Sequence, residues 1–125
     1  MDTAKKTILI IDDDTRNIFA LSAVLKSRGF NCVSAVSALD GLAILENNNR
    51  INIVLLDIMM PEMDGYETVE AIRSNARLAN LPVIAVTAQA MVGDKEKTLQ
   101  AGADAYISKP VDVDELLKLL HQYLN

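Results

Sequence analysis

The stretch Thr7-Ile8-Leu9-Ile10-Ile11-Asp12-Asp13-Asp14 runs apolar and then stops abruptly on aspartates. The apolar part is too short for a helix and does not alternate with polar residues, which is the pattern of a β-strand covered on both faces. The residues that follow, Thr15–Arg28, place Ile18, Leu21 and Leu25 on one face of a helix. Asp14 or Thr15 is positioned to cap its first turn. A buried strand, a polar end and an amphipathic helix form the first half of a βαβ unit.

The same alternation continues along the chain. Further strand-like runs are Asn31–Ala35, Ile53–Leu56, Pro82–Val86 and Ala105–Ser108. Between them, Ser37–Asn47 carries Leu39, Leu42 and Ala43 on one helical face, and Gly65–Asn75 carries Val69 and Ile72. About Met91–Ala101 reads as a helix with a thin apolar stripe. The last helix has Val113, Leu116, Leu117, Leu120 and Leu124 at helical spacing, with Asp112 as its N-cap. Strands separated by helices predict a parallel sheet. Ile8–Ile11, Ile53–Leu56 and Val83–Val86 are apolar throughout and belong at its centre. Asn31–Ala35 alternates, and Ala105–Ser108 is short and mixed, so these two belong at the edges. With right-handed crossovers the order is 2-1-3-4-5, an α/β flavodoxin-like doubly wound (βα)5 fold.

The 125 residues fit a single domain, 1–125. They include 12 Lys+Arg against 17 Asp+Glu, a net charge of −5, with 50% hydrophobic residues. That balance argues against a nucleic-acid partner, which needs clustered positive charge. No apolar run approaches the roughly 18 residues of a bilayer span, so direct membrane contact is not expected. A single cysteine, Cys32, excludes an internal disulfide and a cysteine-based zinc site.

In a doubly wound sheet the ligand site lies beyond the carboxyl ends of the strands, at the switch point between strands 1 and 3. Asp12, Asp13 and Asp14 follow the first strand, Asp57 the third, Thr87 and Ala88 the fourth, and Lys109 and Pro110 the fifth. Carboxylates converging within about 4 Å repel by about 4 kcal/mol per pair at an effective dielectric of 20. Such a cluster takes up protons or binds a cation. Hard oxygen donors without His or Cys favour Mg²⁺ or Mn²⁺. With a Lys charge and a Thr hydroxyl beside them, the set suits phosphoryl transfer, with a carboxylate as nucleophile.

These residues resemble the response-regulator receiver domain of two-component signalling. The likeness rests on Ile10-Ile11-Asp12-Asp13, on Leu56-Asp57-Ile58-Met59-Met60-Pro61-Glu62-Met63-Asp64-Gly65, on Val86-Thr87-Ala88, on Gly102-Ala103-Asp104 and on Lys109-Pro110. It implies that Asp57 is the phosphoacceptor, taking its phosphoryl group from a phosphohistidine. Asp12 and Asp13 would hold Mg²⁺ together with Asp57 and the backbone carbonyl of Met59. Asp13 would do so directly, and Asp12 largely through water. Thr87, Ala88 and Lys109 would receive the phosphoryl group, Tyr106 would be the aromatic switch, and the bond before Pro110 would be cis. The implied partners are a histidine kinase or a histidine phosphotransfer domain. The face made by the fourth helix, fifth strand and fifth helix would change on phosphorylation, with a homodimer through it as one output. Leu119 lies off the core stripe of the last helix and is a candidate for that face. Asp12-Asp13-Asp14-Thr15-Arg16-Asn17 followed by Ile18-Phe19-Ala20-Leu21 is similar to receivers of hybrid histidine kinases. The implied location is the cytoplasm, alone or within a membrane-anchored hybrid kinase. Such a domain is not an enzyme in the ordinary sense, since it catalyses only its own phosphorylation and dephosphorylation.

Two other readings compete. Asp12 and Asp14 match the Asp-x-Asp spacing of haloacid-dehalogenase-type Mg²⁺ phosphatases, which would make Asp12 the nucleophile, although Arg16 departs from that pattern. A phosphorylation-independent interaction module is the other, but every polar position that a working receiver needs is filled.

Overall fold

The computed structural model describes residues 5–48, 50–58, 65–87 and 94–124. Five strands alternate with five helices: β1 (Thr7–Ile11), α1 (Thr15–Ser27), β2 (Asn31–Ala35), α2 (Ala38–Asn47), β3 (Ile53–Asp57), α3 (Gly65–Ser74), β4 (Val83–Thr87), α4 (Asp94–Ala101), β5 (Ala105–Ser108) and α5 (Val113–Leu124). All strands are parallel, in the order β2-β1-β3-β4-β5 expected from their apolar patterns.

The strict alternation of side chains along β1, β3 and β4 divides the core into two layers. Ile8, Ile10, Ile53, Leu55, Ile84 and Val86 pack on the side covered by Ile18, Leu21 and Leu25 of α1 and Leu116 and Leu120 of α5. Leu9, Ile11, Val54, Leu56, Val83 and Ala85 pack on the side covered by α2 and α3. Asp14 caps α1, its side chain accepting from the backbone N–H of Arg16 and Asn17. The Asp112 carboxylate likewise accepts from the Glu115 N–H at the start of α5.

Two sequence expectations are corrected. Of the expected face of α2, Leu42 packs against the core, but Leu39 and Ala43 do not. Ala38, Gly41 and Leu45 are buried instead, and Leu39 is 64% exposed. The cause is Gly41, where a Cβ would collide with the Ile11 side chain. Only this face lets α2 approach β1 closely, and apolar residues on the other faces hid that from the periodicity. Leu119 was expected to lie off the core stripe of α5. It is half-buried and packs against the α1–α5 side of the core.

Helix α4 is anchored differently from the others. Among its described side chains only Thr98 is buried, at 1% exposure. Its hydroxyl meets no hydrogen-bond partner among the described residues. An unsatisfied buried hydroxyl carries a desolvation penalty that a methyl group of the same shape does not. Thr98→Val is therefore expected to raise the unfolding free energy by about 1 kcal/mol. Denaturant titration would read this as a higher midpoint at unchanged slope.

Candidate functional site

Strands β1 and β3 are neighbours, and both point their carboxyl ends the same way. Asp12 follows β1 directly, its N–H donating to the Ala35 carbonyl at 3.1 Å. Asp57 is the last residue of β3, paired with Val86, one residue further into the strand than its apolar run suggests. Both carboxylates are buried, and Asp13 beside them is exposed. One oxygen from each of Asp12, Asp13 and Asp57 lies within 4.8 Å of the others.

The chain leaves this site at Ile58 and returns at Gly65, whose N–H donates to the Ile58 carbonyl at 3.1 Å. A Cβ at Gly65 would lie 2.5 Å from the Ile58 Cα, so this tight closure beside Asp57 requires glycine.

Lys109 arrives from the far side of the sheet. Its Nζ lies 3.4 Å from Asp12 Oδ2 and 3.4 Å from Asp57 Oδ2. Burial pushes its pKa down, but the charges of Asp57 and Asp12 outweigh this and hold it above the ordinary value. Its backbone N–H donates to the Thr87 carbonyl at 2.7 Å, tying the ends of β4 and β5 together. Thr87 is buried at the end of β4, opposite Ser108. Tyr106 is half-buried on β5, one residue from Ile107 and therefore on the other face of the strand. The Lys109–Pro110 bond is cis. The structure thus brings Asp12, Asp13, Asp57 and Lys109 together and sets Thr87 on the adjoining strand end. Met59 and Ala88 lie outside the described residues.

Asn17 is a site residue that the sequence reading passed over. Its Nδ2 donates to Asp12 Oδ2 at 2.5 Å. The available signal was its position in the first turn of α1, where helical side chains lean back toward the amino end. Asp14, by contrast, belongs to the helix. Its carboxyl is held below its usual range, chiefly by the Arg16 N–H. An Asp-x-Asp pair of the phosphatase kind is therefore not formed by Asp12 and Asp14.

The family model described as the response regulator receiver domain matches residues 8–121. The chain belongs to that family. This receiver is 34% identical over 119 residues to the polar-differentiation response regulator DivK of Brucella anthropi, covering 95% of this chain and 96% of that protein. A CheY-like receiver domain protein from Methanospirillum hungatei is 36% identical with a TM-score of 0.86, over 95% of this chain and 93% of that one. The receiver domain of the sensor histidine kinase PA1611 from Pseudomonas aeruginosa is 32% identical with a TM-score of 0.87, over 96% and 98% of the two chains. That structure holds a magnesium ion coordinated in its active-site cleft. Receivers are signalling domains and not classical enzymes, and the phosphatase reading has no support from the relatives. Among the described residues, no helix of this receiver is long and apolar enough to cross a membrane.

Two outcomes follow from the charges. Asp13→Asn removes a like charge from the cluster and is expected to raise stability in the absence of divalent cations by on the order of 1 kcal/mol, read by thermal unfolding in chelator. Lys109 gains its partners on folding, so its contribution is complete below its unfolded pKa of 10.5. The stability difference between the wild type and Lys109→Met should be constant from neutral pH up to that value and shrink above it, which alkaline unfolding titrations would measure.

Proposed function

We propose that this receiver accepts a phosphoryl group on Asp57 from a phosphohistidine of a histidine kinase or histidine phosphotransfer domain. The observation that carries the reading is the placement of Lys109 midway between two buried carboxylates, with the exposed Asp13 closing the cluster. A lone buried carboxylate would be a poor place for further negative charge. One flanked by an ammonium and by two more oxygen donors can receive it.

The donor set fits Mg²⁺ or Mn²⁺: hard carboxylate oxygens, with room left in the coordination shell for water and a phosphoryl oxygen. Asp12, Asp13 and Asp57 are the residues that would hold the ion. When bound, it neutralises charge on the phosphoryl oxygens. An Asp57 carboxylate oxygen attacks phosphorus, forming an acyl phosphate. The phosphorus–nitrogen bond of the donor breaks, and its electron pair stays on the imidazole, which takes a proton from solvent. Lys109 pairs with the phosphoryl oxygens.

The new charge rewards any state that brings donors closer. Thr87 is the hydroxyl on the adjoining strand, and moving it toward the phosphoryl group vacates space that Tyr106 can enter. The surface of α4, β5 and α5 changes as a result, and a partner or a second copy of the chain can read it by differential affinity.

The test is incubation with Mg²⁺ and acetyl phosphate followed by intact mass. The wild type should gain a single phosphoryl group, and Asp57→Asn should gain none while keeping its fold by circular dichroism. Labelling that survives the substitution would place the nucleophile elsewhere and overturn the assignment.

A further inference from the structure

The geometry points to Asn17 as the residue that positions Asp12 for the cation, an inference that rests on the receiver reading above. Asp12 is only 3% exposed. Its Oδ1 accepts from the Asp14 N–H at 2.9 Å. Its Oδ2 accepts from Asn17 Nδ2 at 2.5 Å and lies 3.4 Å from Lys109 Nζ. A carboxylate has about four lone-pair sites. These donors occupy most of them and leave little for a direct bond to a metal. Asp12 is thereby suited to hold a metal-bound water, and the exposed Asp13 is left to make the direct bond.

The donors to Asp12 differ in kind. Lys109 is shared equally with Asp57, so its ammonium is free to follow added negative charge there. Asn17 stands on the first turn of α1, its backbone N–H donating to Asp14 Oδ1, and of the two acidic strand ends its short side chain bonds Asp12. It is also neutral. A cationic donor in this place would orient Asp12 equally well but would repel a divalent ion within a few ångströms. An amide on the first turn of a helix fixes the carboxylate without that opposition. It keeps Asp12 in place when Lys109 turns toward the phosphoryl group.

The experiment compares the wild type, Asn17→Ala and Asn17→Gln. It measures Mg²⁺ affinity by calorimetric titration, melting temperature in chelator, and the rate of labelling by acetyl phosphate as Mg²⁺ is varied. Loss of an outer donor to a metal site typically weakens binding 10- to 100-fold. Asn17→Ala should bind Mg²⁺ about tenfold more weakly and label more slowly at low Mg²⁺, with the deficit narrowing as Mg²⁺ is raised. Asn17→Gln, which keeps the amide donor, should recover part of the affinity. Unchanged Mg²⁺ affinity in Asn17→Ala overturns the inference. So does a lower metal-free melting temperature and maximal rate with an unchanged Mg²⁺ dependence, because that pattern marks a structural role. A wild type that binds no Mg²⁺ and takes no label is a different result, and it would fail the receiver reading itself.

Discussion

Strands β1, β3 and β4 are covered by helices on both faces, and a charge placed within any of them would sit among Ile, Leu and Val at a cost of several kcal/mol. Polar chemistry is therefore confined to the strand ends. The carboxyl ends of β1 and β3 meet at the one place where the chain changes direction across the sheet, and Asp12 and Asp57 stand there. The crowding of like charges that results is relieved by Lys109, which reaches over from the end of β5. Every other part of the site is arranged around that relief: the short return at Gly65, the tie between Lys109 and Thr87, and the amide of Asn17.

Sequence pattern was a good guide where burial is two-sided. A run such as Ile53–Leu56 admits few readings, and once three such strands are recognised the order of the sheet and the location of its polar end follow. The end residues could then be named from their position after each run. Pattern was a poor guide where packing depends on shape. Helix α2 is apolar on several faces, and the face that is buried was chosen by the absence of a side chain at Gly41 against Ile11. Hydrophobic periodicity counts what is present and does not register what is missing. Leu119 was misplaced for a related reason, since a position off the main stripe of α5 can still lean on the core.

Asn17 illustrates a third limit. Its type and position are visible in the sequence, but its partner lies beyond the cap, on the other side of Asp14. The contact depends on how the strand end turns into the helix. Capping rules describe Asp14 correctly and are silent about the residue whose side chain reaches past it.

At the opposite end of the sheet, Arg73 donates to the carbonyls of Gly102, Ala79 and Leu81 and pairs with Asp104 at 2.8 Å. The same Asp104 oxygen accepts from Val83 N–H, and the Asp104 carbonyl accepts from the Tyr123 hydroxyl. One guanidinium thus rivets the foot of β4 to the turns before β4 and β5, while Tyr123 fastens the tail of α5 to the same rivet. The domain behaves like a tuning fork clamped at its stem. The prongs, β4 and β5, end at Thr87 and Lys109, where the Lys109 N–H joins them again through the Thr87 carbonyl. The stem fixes the spacing from which the tips start.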